Sequence, residues 1–373
     1  MIYWIRRKDM GLNQELEKEE TKIKTDNYPM SIGEIINLYS DKDINLTPAF
    51  QRLYRWSEAQ KTRFIESILL GIPIPPIFVS QKDNGKWDVV DGVQRLSTIL
   101  QFAGELKDYD PLKLDKGKLL PSLNGMTWEK IDADIRRKFK RRKLGINILL
   151  TGNNTKSQYE LFQRLNTGGT DLSGQEVRNC LLIMLKKDLF EQINNLKIYN
   201  SFETCVPLTD KAKSEEYHME LIVRYFISTL NELNVNEYKP FGSIDFSEFL
   251  DMEIIKSIDN TQINWSNEYI KFKQVFDFLK DLLGEGIFKK AFEVDGEIKF
   301  QGPFTLTSFE VLIPGIYKNL DQIKLKEKED IKSQIIKIYK HSEFKKNMRV
   351  GRNSIQRFIC LKELSIEIFD EFV

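Results

Sequence analysis

Val89–Leu96, with the sequence VVDGVQRL, decides the fold predicted for the N-terminal half of the chain. Upstream of it, Asn84-Gly85 is a strong hairpin signal between two apolar runs, so the run that leads into the quoted stretch is predicted to be a strand. Downstream, apolar residues recur at helical spacing as far as Gly104; they are Leu96, Ile99, Leu100 and Ala103. The sequence therefore predicts a strand, a tight turn and a helix in immediate succession.

The turn Asp91-Gly92-Val93-Gln94-Arg95 is a candidate anion site, because a helix N-terminus presents unpaired backbone N–H groups and a positive dipole end. Gly92 permits close approach, Gln94 can donate to a phosphate oxygen, and Arg95 offers a planar fork for phosphate or carboxylate. Asp91 is the candidate ligand of a Mg²⁺ ion that a nucleotide brings, or it positions a water. In the alternative interpretation Asp91 caps the helix and Arg95 is solvated, and spacing alone does not decide between the two.

A second candidate segment, Gln51-Arg52-Leu53-Tyr54-Arg55-Trp56, precedes a helix that Ser57 and Gln60 are predicted to cap. Its arginines suit contacts to phosphates, and the rings of Tyr54 and Trp56 suit stacking on a base. In the alternative interpretation the two rings are core residues, and the segment taken alone favours this alternative.

A third candidate segment, residues 164–179, joins a loop that contains Asn166, Gly168 and Gly169 to the start of another helix. Such a loop could close over a ligand. By itself, the segment is more typical of a turn between two helices, with Ser173 and Glu176 forming an ordinary capping box.

The basic run at residues 136–143 is a candidate nucleic-acid contact, since each neutralised phosphate adds salt-sensitive affinity. Its candidate DNA-binding residues are Arg136, Arg137, Lys140 and Arg141. More often such a run is a solvated helix face, and by itself it favours that interpretation.

Composition excludes several classes of protein. The 373 residues include 56 Lys and Arg against 55 Asp and Glu, so any nucleic-acid contact must come from a local patch. Three widely spaced cysteines give neither a disulfide framework nor a zinc site, and two isolated histidines argue against His-based nuclease modules. No apolar run is long enough to span a membrane, so we expect a soluble, cytoplasmic protein.

The chain is predicted to have an α+β fold in three parts. Residues 1–28 are a charged arm, residues 29–180 form a nucleotide-binding domain with a small mixed sheet and helices, and residues 181–373 form an all-helical domain. The helical prediction rests on apolar residues at three- and four-residue spacing, as in residues 221–230, 269–283 and 331–339.

Together the three candidate segments resemble the N-terminal domain of GmrSD-type restriction proteins. The signatures of that family are Gln-Arg-x-Tyr-x-Trp, Ser-Ile-Leu-x-Gly-x-Pro-x-Pro-Pro, Asp-Gly-Gln-Gln-Arg, and Phe-x-Arg-Leu-Asn-x-x-Gly followed by Glu-x-Arg-Asn. In this sequence they stand at residues 51–56, 67–76, 91–95, 162–169 and 176–179. One position departs from the pattern, because Val93 replaces the first Gln of Asp-Gly-Gln-Gln-Arg.

The arrangement is also similar to the ParB and sulfiredoxin fold, in which a Gly-Glu-Arg-Arg turn at the same junction holds a nucleoside triphosphate. The resemblance implies nucleotide binding or hydrolysis, which some family members couple to cleavage of modified foreign DNA. It implies that Gln94 and Arg95 bind phosphates with Asp91 on metal or water, that Gln51 and Arg52 complete the pocket, and that the loop at Asn166, Gly168 and Gly169 covers it. A His-containing nuclease domain often accompanies such proteins, and we expect it here as a separately encoded partner.

Three functions are therefore open at this point. The first is a nucleotide-binding and nucleotide-hydrolysing protein of DNA surveillance, restriction or phage defence. The second is a non-catalytic DNA-binding adaptor for a separate nuclease, whose affinity would depend steeply on salt. The third is a metal-dependent nuclease that uses Asp91 with other acidic residues.

Overall fold

A computed structural model of the chain describes residues 12, 25–46, 56–107, 109–150, 174–294, 297–348 and 351–373. Contacts between Cα atoms divide the chain into two compact units, residues 1–171 and 172–373. The division falls nine residues before the predicted boundary between residues 180 and 181.

The N-terminal unit is built on a five-stranded mixed sheet in the order β1-β5-β3-β4-β2. Its strands are β1 (Thr25–Ser31), β2 (Ile44–Asn45), β3 (Ile77–Gln81), β4 (Trp87–Asp91) and β5 (Lys143–Leu149). The β1–β5 and β3–β4 pairs are antiparallel, whereas β3–β5 and β2–β4 are parallel. Because β1 begins at Thr25, the last residues of the predicted arm are part of this sheet.

Among the described residues of this unit, four helices accompany the sheet, with a short 3-10 helix at Pro121–Leu123. They are α1 (Ile32–Ser40), α2 (Glu58–Leu70), α3 (Val93–Ala103) and α4 (Ala133–Arg141). The predicted capping box of α2 is present, with Ser57 Oγ accepting from Gln60 N at 3.3 Å, and the helix ends at Gly71 with φ 80°. Helix α3 buries Leu96, Ile99 and Leu100 completely, so the strand, turn and helix predicted around Asp91 are confirmed.

The C-terminal unit is largely helical. Its helices are α5 (Gly174–Leu196), α6 (Asn200–Cys205), α7 (Asp210–Ser214), α8 (Tyr217–Leu230), α9 (Phe246–Asp259), α10 (Trp265–Leu283), α11 (Leu306–Lys318), α12 (Leu320–Ile323), α13 (Lys328–Lys340), α14 (Ser342–Asn347) and α15 (Ser354–Phe372). Short 3-10 helices lie at Val235–Tyr238 and Gly284–Gly286. Four buried rings, Phe202, Tyr225, Phe272 and Phe276, pack together with centroid distances from 4.5 Å upward and form the centre of its core.

The C-terminal unit also contains one element that the helical pattern did not predict. Strands β6 (Lys290–Val294) and β7 (Glu297–Gln301) pair as an antiparallel hairpin. The pair Asp295-Gly296 between them is a strong hairpin signal in the sequence. The domain is therefore helical with one hairpin, and the α+β fold class is confirmed. No helix within the described ranges is long and apolar enough to cross a membrane.

Candidate functional site

Strand β4 and helix α3 of the N-terminal unit are separated by a single residue, Gly92, and their meeting point is called the β4–α3 junction below. Asp91 ends the strand, Gly92 has the left-handed φ of 91°, and the helix begins at Val93. No side chain among the described residues caps α3, so the alternative in which Asp91 caps this helix is wrong. The first bond of the helix runs from Leu96 N to Gly92 O at 2.8 Å, which leaves the N–H groups of residues 93–95 without an acceptor inside the helix.

Position 92 requires glycine for two reasons, the left-handed φ of its backbone and the lack of room for a Cβ atom. A Cβ atom there would lie 2.9 Å from Cγ1 of Ile77 and 3.2 Å from Nη2 of Arg95. A side chain at this position would therefore meet the sheet on one side and displace the Arg95 guanidinium on the other.

We expect Gly92→Ala to lower the free energy of unfolding by about 2–3 kcal/mol, since the left-handed φ and the crowding each cost energy. Gly85→Ala is the matched control, because Gly85 has a similar φ of 79° with no atom of the described residues within 4 Å of its Cβ position. It should cost only about 1 kcal/mol. Urea denaturation measures both variants, and equal losses would show that crowding at Gly92 is unimportant.

Arg95 is held in place by three hydrogen bonds. Its Nη1 donates to the carbonyl oxygens of Pro75 and Pro76 at 2.6 and 2.9 Å, and its Nη2 donates to Asp91 Oδ2 at 2.5 Å. Only 11% of the side chain is exposed. The alternative in which Arg95 is a solvated surface residue is therefore wrong: the guanidinium joins the Pro-rich entry to β3 with the end of β4.

Gln94 connects α3 to the start of α2. Its Oε1 accepts from the backbone N–H of Trp56 at 3.2 Å, and the Trp56 ring packs edge-on against Phe64 with centroids 5.3 Å apart. Trp56 remains partly exposed. This bond brings Trp56, the last residue of the second candidate segment, to the β4–α3 junction, as expected if the three candidate segments form one pocket.

Val93, where the chain departs from the expected Gln, is 6% exposed and belongs to the buried face of α3. Its side chain acts in packing. The other predicted nucleotide-binding residues, Gln51, Arg52, Tyr54, Asn166, Gly168 and Gly169, lie outside the described residues.

The basic run forms α4 and the start of β5. Arg136 Nη1 lies 3.5 Å from the Trp128 carbonyl oxygen, and Lys140 Nζ lies 5.9 Å from the centroid of the Trp128 ring. Arg137 forms an ion pair with Asp134, whereas Arg141 is exposed and forms no ion pair with any described residue. The predicted DNA-binding residues therefore divide into two that contact Trp128 and two that face outward.

Arg178, in the third candidate segment, is a buried structural residue of the C-terminal unit. It is 0% exposed, and its Nε donates to Asp251 Oδ1 at 2.5 Å. Its Nη1 donates to Gln175 Oε1, and its Nη2 donates to the carbonyl and hydroxyl oxygens of Ser247 at 3.1 and 3.0 Å. This part of the segment therefore joins α5 to α9 and does not contribute to the candidate site.

Both histidines and the buried Cys205 lie in the C-terminal unit. The part of the chain that the structure describes holds no group of three or more His, Cys, Asp or Glu side chains that could bind a metal. Burial, with nearby Lys213 and Lys197, lowers the pKa of His218 to about 4, and burial raises the pKa of Cys205 to about 12. His341 caps α14 with its Nδ1. The two histidines thus have structural positions.

Comparison with known proteins gives one match. Residues 33–183 match the family model of the GmrSD restriction endonuclease N-terminal domain. This range includes the β4–α3 junction and helix α4. No curated protein and no solved structure matches the chain.

Proposed function

Because residues 33–183 match the family model of the GmrSD N-terminal domain, we propose that this chain binds and hydrolyses a nucleoside triphosphate at the β4–α3 junction. The observation that carries the proposal is the guanidinium of Arg95, which the two prolyl carbonyls hold beside the N-terminus of α3. A helix N-terminus and a fixed positive charge at one point are the usual ingredients of a phosphate site. The cellular role we propose is restriction of foreign DNA, with a separately encoded nuclease as partner.

The hydrogen bonds of Arg95 indicate how it would meet a phosphate. The two prolyl carbonyls hold Nη1, so the guanidinium is already oriented before a ligand arrives. Nη2 is bound to Asp91, which is the contact that a phosphate oxygen would replace. We propose that this exchange releases the Asp91 carboxylate at the moment a phosphate binds.

Asp91 fits a Mg²⁺ ion that arrives with the nucleotide. A single carboxylate is enough, because Mg²⁺ in nucleotide sites keeps several waters and takes phosphate oxygens as its other ligands. The Asp91 side chain is 27% exposed, so its carboxylate is accessible from solvent. Bound Mg²⁺ would neutralise charge on the phosphates.

The remainder of the proposed pocket comes from the other two candidate segments. Gln94 accepts a hydrogen bond from the backbone N–H of Trp56, the last residue of the second candidate segment, beside the junction. Residues proposed to complete and cover the pocket are Gln51, Arg52, Tyr54, Trp56, Gly92, Asn166, Gly168 and Gly169.

The proposal is tested by calorimetric titration of the full chain with ATP, GTP, CTP and UTP, with and without Mg²⁺, and by phosphate release. We expect Asp91→Asn to bind nucleotide without Mg²⁺ much as the wild type does, because the amide oxygen can still accept from Arg95. The variant should lose the gain in affinity that Mg²⁺ gives, and phosphate release should fall at least about a hundredfold, or about 2.7 kcal/mol in activation free energy.

Asp83→Asn is the matched control, since Asp83 is an exposed carboxylate on the turn between β3 and β4. It should behave as the wild type in both assays. Absence of nucleotide binding to the wild-type chain, or full Mg²⁺-dependent hydrolysis by Asp91→Asn, would contradict the proposal.

A further inference from the structure

One short helix carries a dense run of positive charge. Seven of the eight residues from 136 to 143 are Lys or Arg, in a chain whose net charge is only +1. Six of these seven lie on α4 or at its C-cap, Arg142. Phe139 is the one residue of this run that is not Lys or Arg. It is 1% exposed and packs edge-on against Phe102, with ring centroids 5.5 Å apart. The helix is thus attached to the core by an aromatic side chain and carries its charge outward.

The contacts of these cations separate them into two groups. Arg142 donates from Nη2 to the Leu69 carbonyl oxygen at 2.8 Å, while Arg136 and Lys140 contact Trp128. Arg137, Lys138 and Arg141 are exposed, and Arg141 lies four residues after Arg137 and three after Lys138, so the three side chains lie on the same side of the helix. These three residues are called the basic face below.

The fold does not neutralise the basic face. Asp134 pairs with Arg137, but within the described ranges neither Lys138 nor Arg141 forms an ion pair. A shallow pocket of about 300 Å³ over this face is lined by these three residues with Asp134 and Arg142, which makes four cations and one carboxylate.

Folding alone gives little reason for this pattern. The helix dipole favours cations in the last turn, which accounts for Lys138 and Arg141. It does not account for Arg137, which lies before that turn and four residues from Arg141. Like charges at this spacing repel each other by about 0.2–0.5 kcal/mol. The anionic groups of a polyanionic partner would attract both cations and so offset this repulsion.

The composition of the face favours nucleic acid over other anionic partners. Membrane-surface helices bury a broad apolar face, and protein interfaces centre on aromatic or aliphatic anchors. On α4 the aromatic residue is turned into the core, and Ile135, 41% exposed, is a single aliphatic side chain. Guanidinium forks bind phosphate oxygens in pairs, and a helix of nine residues, about 13 Å long, can reach several phosphates of a duplex.

We propose that the basic face binds the phosphate backbone of duplex DNA, independently of base sequence. This site goes beyond the nucleotide site proposed at the β4–α3 junction and uses none of its residues. Loss of one is therefore distinguishable from loss of the other.

The test is fluorescence anisotropy of a labelled DNA duplex titrated with the full chain, without nucleotide, at a series of salt concentrations. The triple variant Arg137→Gln, Lys138→Gln, Arg141→Gln should bind at least tenfold more weakly at low salt. In a plot of log affinity against log salt concentration, the slope of this variant should be smaller in magnitude by about 2.7, because each lost phosphate contact removes about 0.9 from the slope.

The matched control removes the same charge elsewhere, with Lys290→Gln, Lys324→Gln and Lys337→Gln, three exposed lysines of the C-terminal unit. It should keep the wild-type slope, and both triple variants should keep the wild-type thermal midpoint. Equal losses in the two triples, or no change in the first, would overturn the proposal. The proposal would also be overturned if the wild-type chain did not bind DNA but did bind vesicles that contain phosphatidylserine, or double-stranded RNA.

Discussion

Arg178→Met is expected to lower the free energy of unfolding by about 3–5 kcal/mol, the largest loss of stability that the structure predicts for a single substitution. Removing the guanidinium leaves the carboxylate of Asp251 buried at 0% exposure without its partner. The amide of Gln175 and the oxygens of Ser247 lose a donor at the same time. The cost comes from buried polar groups left without partners, since the buried ion pair itself adds little net stability.

Urea denaturation of three variants separates this account from a general effect of mutation. Adding Asp251→Leu to Arg178→Met should recover at least half of the lost free energy, because the buried carboxylate that has lost its ion pair with Arg178 is then removed. Lys187→Met, on the same helix but in an exposed pair with Glu191 at 3.8 Å, should cost less than about 0.5 kcal/mol. A loss below about 1 kcal/mol for Arg178→Met would contradict the structural role of this residue.

Arg95→Ala is expected to have the largest effect on nucleotide binding, a loss of affinity of at least about tenfold. A charge-assisted hydrogen bond contributes about 1.5–3 kcal/mol, and Arg95 is the described side chain placed to give one to a phosphate at the α3 N-terminus. Arg95→Lys keeps the charge but lacks the planar fork that reaches Pro75, Pro76 and Asp91 together. Its nucleotide affinity should therefore lie between that of the wild type and that of Arg95→Ala.

The fold of these variants must be checked, because Arg95 also joins β4 to the Pro-rich segment before β3. Circular dichroism and thermal denaturation should show that Arg95→Ala is still folded at the temperature of the titration. Arg63→Ala is a suitable control, since Arg63 is an exposed arginine on α2. It should leave affinity unchanged. A folded Arg95→Ala variant with wild-type affinity would remove Arg95 from the proposed site.

Local sequence signals predicted the parts of the fold that local physics determines. The turn pair Asn84-Gly85, the cap at Ser57, and the helical spacing after Leu96 all correspond to elements of the structure. Each signal acts over a few residues, through turn geometry, capping or amphipathic periodicity. This is why the elements on both sides of Asp91 could be predicted from the sequence.

The roles of the arginines depend on contacts that are distant in the sequence. Arg95 reaches carbonyls some twenty residues away, and Arg178 pairs with Asp251, seventy-three residues along the chain. No periodicity shows such pairing, so solvated and buried roles could not be separated for either residue before the structure. Motif order indicated that the segment ending at Trp56 lies near the Asp91 turn, and the bond from Trp56 N to Gln94 Oε1 shows one contact between them.

The central claim is that phosphates bind to the backbone N–H groups at the start of α3, and nuclear magnetic resonance tests it most directly. A transverse-relaxation-optimised spectrum of the ¹⁵N-labelled full chain would be followed during titration with Mg²⁺ and the nucleotide that binds best. We predict that the amide signals of Val93, Gln94 and Arg95 shift most, and that those of the C-terminal hairpin at Lys290–Val294 do not move. Saturable binding that leaves the signals of these three amides unchanged would contradict the account.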